Sequence, residues 1–288
     1  MTTRPTRIVD AHVHLWDPAR TDWYPYLSGG RDLGLGDTTG MARHFDVPTY
    51  QNESNDWNVQ KIVNVAAATG RHSIAETLEL DRRAATDGHP DAIVGGLPPT
   101  DSVAETVALI DEQMAASRFR GVRPMGGSPD PLPAVEVLQA LQERGLVFEL
   151  MAHPDQLRAA AEGLAAVDGL VVVVEHTGWP RSDTAEERAL WEAGIDALAG
   201  LGERVACKLS GLAMPLGAMS VEAFTPWIDH AIGVFGVDRC LFASNFPVDG
   251  LHGTLDALLT VYAEITAGLD DVAREALFAA NAERIYRI

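Results

Sequence analysis

Cysteine is almost missing from this chain: Cys207 and Cys240 are the only two, and both fall in apolar runs that read as strands. A disulfide framework is therefore not expected, and a reducing cytoplasm is the expected location. Lysine is equally scarce, with Lys61 and Lys208 alone. Lysine and arginine together number 22 against 41 acidic residues, a net charge of −19. That surplus argues against nucleic acid and anionic membrane surfaces as partners. Long apolar runs are lacking too. The longest aliphatic stretch, Leu170–Val174, falls far short of the ~20 residues a bilayer requires, and the polar start Met1–Arg7 has no signal core. The glycine pairs Gly95-Gly96 and Gly126-Gly127 begin no nucleotide-binding pattern. No Gly/Ser linker divides the chain, so one domain over residues 1–288 is expected.

What the chain does contain is an alternation. Eight apolar, β-branched runs read as strands buried on both faces: Ile8–Trp16, Lys61–Ala68, Ala92–Leu97, Phe119–Met125, Leu146–His153, Leu170–Gly178, Val205–Leu212 and Arg239–Pro247. Helical spacing appears over Ser73–Asp87, Asp101–Ser117, Leu132–Arg144, Pro154–Val167, Thr184–Leu201, Val221–Phe235, Leu255–Ala267 and Asp270–Arg284. Asp101 and Ser220 suit N-caps, and Pro154 a first helical turn. Strands alternating with helices imply a parallel sheet, and a count of eight favours a closed (β/α)8 barrel of the TIM type. The first connection, Asp17 to Gln60, is the exception in length and carries Trp23, Tyr24, Tyr26, His44, Tyr50 and Trp57. It is expected to be either a folded excursion over the barrel rim or a lid whose aromatics shape the pocket.

The chemistry concentrates at predicted strand ends. Asp10-Ala-His12-Val-His14 closes the first strand, and period-two alternation turns both imidazoles the same way, where they can clamp one divalent cation. His153 ends the fifth strand and His176 the sixth, so four of the nine histidines converge on one rim. Glu175 is expected to face away from His176 and to have a structural partner. Lys208 and Arg123 lie inside or at the end of apolar strands. Each either pairs with a barrel acid such as Glu149 or Asp10, or receives a substrate carboxylate. Cys207 and Cys240 read as core.

With those residues in hand, the sequence resembles the amidohydrolase superfamily, and within it the lactonase-like hydrolases. The resemblance spans nearly the whole chain. It rests on Asp10-Ala-His-Val-His14-Leu-Trp-Asp17, Glu175-His176-Thr-Gly178, Lys208-Leu-Ser-Gly-Leu212, Phe242-Ala-Ser-Asn-Phe-Pro-Val248 and Asn281-Ala-Glu-Arg-Ile-Tyr286. It implies a (β/α)8 barrel that adds activated water to an ester or amide carbonyl. It makes His12 and His14 the first-strand metal pair, His153 a further ligand, and His176 the group that contacts the attacking water or the carbonyl.

The resemblance also exposes departures. Asn245 stands where the family has an aspartate that serves as general base, and a carboxamide cannot take a proton from water. Alanines occupy Val63-Asn-Val-Ala-Ala67 where relatives place a glutamate, and Arg123 replaces the lysine of two-metal members. One divalent ion, zinc or manganese, or a metal-free site is therefore expected. His176 or Asp249 becomes the proton acceptor, and Asn245 orients water or stabilises the oxyanion. The expected function is lactonase-type opening of a sugar-acid or dicarboxylate lactone, with an anionic small molecule as substrate. A decarboxylase and a barrel that only binds a ligand are the alternatives.

Overall fold

Seven stretches rich in β-branched and small residues, joined by Cys240–Phe242, become parallel strands of one sheet: β1 (Ile8–Val13), β2 (Val59–Val65), β3 (Ala92–Leu97), β4 (Phe119–Pro124), β5 (Val147–Leu150), β6 (Val172–Val174), β7 (Val205–Leu209) and β8 (Cys240–Phe242). The computed structural model describes residues 4–28, 37–124 and 130–288. The strands neighbour one another in sequence order from β1 to β8. The ring closes just beyond β8, where His14 N donates to Phe246 O and Asn245 N donates to His12 O, each at 2.8 Å. This is the expected (β/α)8 barrel. Met125, Gly126 and Gly127 lie outside the described residues.

Helices connect the strands: α1 (Val47–Glu53), α2 (His72–Asp87), α3 (Val103–Gln113), α4 (Val135–Glu143), α5 (Pro154–Leu164), α6 (Ala185–Ala199), α7 (Ala213–Leu216), α8 (Val221–Phe235), α9 (Leu255–Ile265), α10 (Asp271–Glu275) and α11 (Asn281–Tyr286). Ser220 caps α8 as expected, and α5 begins with Pro154. The cap of α3 is Ser102 rather than Asp101; its side chain accepts from Glu105 N. The last predicted helix is divided by a π-turn at Ala276–Ala280. No helix among the described residues is long and apolar enough to cross a membrane.

Two apolar cores result. The larger fills the space between strands and helices. The smaller packs Val9, Val63, Val94, Val147, Val173, Ala206 and Leu241 against Ala282, Ile285 and Tyr286 of α11, which covers one end of the barrel. Small and β-branched residues suit the narrow interior.

The strands are mostly shorter than their apolar runs. β6 ends at Val174 rather than Gly178, β5 at Leu150 rather than His153, and β8 at Phe242 rather than Pro247. The polar residues that follow each run leave the ladder, so His14, Glu175, His176, Asn245 and Asp249 stand just beyond strand ends, whereas His12, Arg123, Glu149 and Lys208 lie within strands.

The excursion between β1 and β2 is a folded one over its described residues. Tyr50 donates to Asp10 Oδ2 at 2.7 Å, Tyr24 to Glu76 Oε1 at 2.9 Å, and Trp57 Nε1 to Asp256 Oδ1 at 2.9 Å. Buried aromatics whose polar ends are all matched are structural anchors. Residues 29–36 of the excursion lie outside the described residues.

Candidate active site

The first histidine pair owes its aim to a bulge. Asp10 pairs with Ile62 and Val13 with Asn64, so three residues of β1 advance against two of β2. Val9 and Ala11 belong to the barrel interior, and the extra residue turns His12 and His14 to the mouth. Asp10 is left behind the pair as a brace. Its carboxylate accepts from Ser244 N at 2.8 Å, His12 N at 3.2 Å and Tyr50 OH. The Nε2 atoms of His12 and His14 stand 3.2 Å apart, and His14 Nδ1 meets Val65 O at 2.8 Å.

On β6 the alternation argument misplaces one residue. Val171 and Val173 face the interior, so Glu175 follows them inward. His176 should then point outward, yet its backbone flips to φ 52°, and Thr177 follows at φ 54°. The flip brings the His176 ring to 4.7 Å from that of His12, centroid to centroid. The strained turn is held by Trp191 Nε1, which donates to Thr177 O at 2.6 Å, and by Ser210, whose Oγ lies 3.1 Å from His176 Nδ1. Glu175 is thus a member of the site. It pairs with Arg123 at 3.3 Å and shares a side-chain hydrogen bond with Glu149, and its Oε1 lies 3.6 Å from His12 Nδ1. Among the described residues, His12, Glu175 and His176 form a group whose ligand atoms all lie within 4.8 Å of one another. The sequence held no signal for this, because Leu170–Val174 is apolar at every position and marks no inward face.

His153 stands apart from that group. Because β5 stops at Leu150, His153 becomes the N-cap of α5. Its Nδ1 donates to Trp179 O at 3.1 Å, and its ring packs 4.6 Å from that of Trp179.

Both basic residues are ion-paired. Lys208 is fully buried, with its ammonium 2.6 and 2.7 Å from the two oxygens of Glu149 and 3.4 Å from His12 Nδ1. Tyr286 donates to the same Glu149. Arg123 donates to Ala66 O at 3.1 Å through Nε as well as to Glu175. A barrel acid therefore matches each cation.

The charges shape the titration of the site. Burial and then Lys208 hold the His12 imidazole well below its usual range. Burial, with Arg123 next, lowers His14 to about 3. Burial lowers His176 to about 4 although Glu175 opposes it. Burial pushes Glu175 up, but Arg123 and His176 outweigh it and bring the carboxyl to about 2. All three imidazoles are neutral at pH 7.

Beyond β8, Asn245 adopts φ 57°, a left-handed backbone that asparagine tolerates. Its Nδ2 donates to Asp249 Oδ1 at 3.1 Å. Asp249 is buried and also accepts from the amide of Gly211, while its Oδ2 has no hydrogen-bond partner. Burial pushes its carboxyl up to about 7, against the pull of Asn245. Gly211 lies against His176: a Cβ there would meet the ring at 2.7 Å, and its φ of 67° favours glycine. Asp249 is therefore tied to His12 through Asn245 and to His176 through Gly211.

Residues 9–288 match the amidohydrolase family. The chain belongs to it. It is 32% identical to the uncharacterized protein y4mH of Sinorhizobium fredii, with 98% of each chain covered. It is 27% identical to the L-fucono-1,5-lactonase of Burkholderia multivorans, over 97% of this chain and 96% of that one. An amidohydrolase structure from Burkholderia multivorans with bound zinc has a TM-score of 0.80 at 24% identity, over 98% of this chain and 100% of that one. The 5-carboxyvanillate decarboxylase of Sphingomonas paucimobilis shares the fold at a TM-score of 0.67 and 14% identity, over 98% and 99% of the two chains.

A divalent ion is the group this family implies. The residues of this amidohydrolase fit one. Two imidazole nitrogens 3.2 Å apart have the spacing of two ligands on one ion, and the buried Oε1 of Glu175 has no hydrogen-bond partner. Glu175 supplies a buried carboxylate beside His12 that would offset the ion's charge, where Asn245 does not.

Proposed function

We propose that this amidohydrolase opens the ring of a lactone by general-base hydrolysis, with Asp249 as the base. The observation that carries the reading is the state of Asp249: a buried carboxyl held near neutrality, with one oxygen already bound by Asn245 and the other without a partner. A base whose pKa lies near the working pH combines availability with proton affinity. His176, lowered to about 4, is the poorer base. Asn245 orients Asp249, and the acid the family normally carries at position 245 is displaced by one helical turn.

The steps follow from those positions. Asp249 Oδ2 takes a proton from water as the water oxygen bonds to the lactone carbonyl carbon. The negative charge that develops on the carbonyl oxygen is met by an N–H donor at the mouth, the role assigned to His176. Collapse of the tetrahedral adduct breaks the ring C–O bond, and Asp249 returns its proton to the departing oxygen, giving a hydroxy acid. A divalent ion held between His12 and His14, with His176 beside them, would polarise the carbonyl. The donor and acceptor roles of the other side chains stay the same.

The substrate is a neutral, hydroxyl-bearing lactone rather than an anionic one. A substrate carboxylate needs a cation that is free to meet it, and both Arg123 and Lys208 are committed to buried acids. The similarity to an L-fucono-1,5-lactonase supports the same class. A pH-indicator screen over neutral aldonolactones and unsaturated dicarboxylate lactones tests this. Turnover of the neutral set alone is expected. Release of carbon dioxide from aromatic acids would replace hydrolysis by decarboxylation, and a melting shift without turnover would leave a binding protein.

A further inference from the structure

His12 and His14 can share their protons in two ways, and the neighbours of His12 decide between them. His14 Nδ1 faces a carbonyl, Val65 O, which only accepts, so the ring proton of neutral His14 is on Nδ1 and its Nε2 is bare. The Nε2 of His12 lies 3.2 Å from that bare nitrogen. On its other side, His12 Nδ1 has two suitors at nearly equal range: the Lys208 ammonium at 3.4 Å, which only donates, and Glu175 Oε1 at 3.6 Å, which only accepts when ionised.

We propose that Lys208 and Glu175 compete for Nδ1 of His12, and that the outcome determines whether the His12–His14 pair is open to a metal ion. When Lys208 donates to Nδ1, the His12 proton is on Nε2 and donates to His14. A continuous line then runs from Lys208 through both imidazoles to Val65 O, every ring nitrogen is matched, and Glu175 Oε1 is the atom left without a partner. When the His12 proton is on Nδ1 instead, it serves Glu175, and two bare Nε2 atoms face one another. That arrangement is unfavourable until a cation stands between them. The proton moves from one nitrogen to the other of the same ring, and the charge of the site is unchanged.

Lys208 cannot leave this contest. Both oxygens of Glu149 hold it, and its ammonium stands 5.5 Å from the centre of the Tyr286 ring. A metal ion therefore binds only as tightly as its preference for the second arrangement exceeds the cost of leaving the first. Lys208 is a positioning residue that weakens metal binding, and Glu175 one that strengthens it. The inference concerns the same site as the proposed hydrolysis, but it is read from proton positions and zinc affinity, so it stands or falls independently of any substrate.

The experiment uses the full chain, stripped of metal, at one fixed pH. Nitrogen-15 NMR of labelled histidine, with two-bond couplings to the ring protons, reads which nitrogen of each ring carries hydrogen. Protonated Nε2 on His12 and protonated Nδ1 on His14 are expected, and zinc should move the His12 proton to Nδ1. Protonated Nδ1 on His12 in the metal-free protein would overturn the proposal, as would zinc binding at the pair that leaves it on Nε2. Competition with a chromophoric chelator then compares variants. The double substitution Lys208→Met with Glu149→Gln should bind zinc at least tenfold more tightly, and Glu175→Gln at least tenfold more weakly. Unchanged or opposite affinities in a folded variant would also overturn it. Should the double variant fail to fold, the proton positions in the unmodified protein decide alone.

Discussion

Asn245 donates to Oδ1 of Asp249 at 3.1 Å, and this single hydrogen bond joins the residue that departs from the family pattern to the carboxyl that can act in its place. Asp249→Asn keeps the shape and removes the proton acceptor. A loss of roughly 10²–10⁴ in kcat is expected, the usual contribution of a general base. Steady-state kinetics on the lactone found by screening checks it.

The same carboxyl sets two pH dependences. Only its ionised form accepts a proton, so kcat/KM should rise with pH through about 7 and level off above it. Stability runs the other way. The unfolded aspartate releases its proton near ~3.9, whereas the folded one keeps it to about 7. Between those values the folded chain binds more protons, so this residue makes the protein less stable as pH rises. Melting curves across pH 4–8, with Asp249→Asn losing this component, test the sign.

Gly211→Ala should damage the site without removing any titratable group. The new Cβ would stand 2.7 Å from the His176 ring at a φ of 67°. About 1–3 kcal/mol of lost stability is expected from the backbone alone. Activity should fall at least tenfold as His176 is displaced. Thermal melting and kinetics, measured together, separate the two effects.

Lys208→Met alone leaves Glu149 buried without its cation. Breaking one side of a buried pair costs about 3–5 kcal/mol, which denaturant unfolding would register. Tyr286 still donates to Glu149, so the loss is expected nearer the lower figure.

Glu76 on α2 offers a fifth test. Its carboxylate accepts from Ala67 N at 3.0 Å, Ala68 N at 3.1 Å and Tyr24 OH at 2.9 Å. It thereby fixes the turn after β2, whose carbonyls at Val65 and Ala66 hold His14 and Arg123. Glu76→Gln turns an NH2 toward one of those amides. A cost of about 1–3 kcal/mol follows for the unmatched donors. Thermal melting, with kcat/KM as a second measure, should show both falling.

The barrel was legible in the sequence because eight apolar runs separated by amphipathic ones admit few other arrangements. Ala92–Leu97 and Val221–Phe235 have the predicted bounds. The site was legible only in part. The HxH pair and His176 meet as the pattern suggests, because a strand end is a local feature. Glu175 lies on the face opposite to the one strand alternation predicts from His176, because the left-handed turn at 176 breaks that parity. His153 does follow β5 toward the same rim, but as a helix cap packed on Trp179 rather than in the cluster of His12, Glu175 and His176. The pairing of Lys208 with Glu149 was one of two alternatives, and no spacing rule could choose between them. That choice depends on which strands face each other across the ring.

Tyr286, on the last helix, reaches from the closed end of the barrel to Glu149, which holds the ammonium beside His12. The rim that carries His12 is thus moored to α11. Trimming the final turn, or fusing a tag that pulls α11 away, should unsettle the histidines without altering any residue that meets the substrate. An expression clone extended at that end is best compared with one extended at the other before its inactivity is attributed to the chemistry.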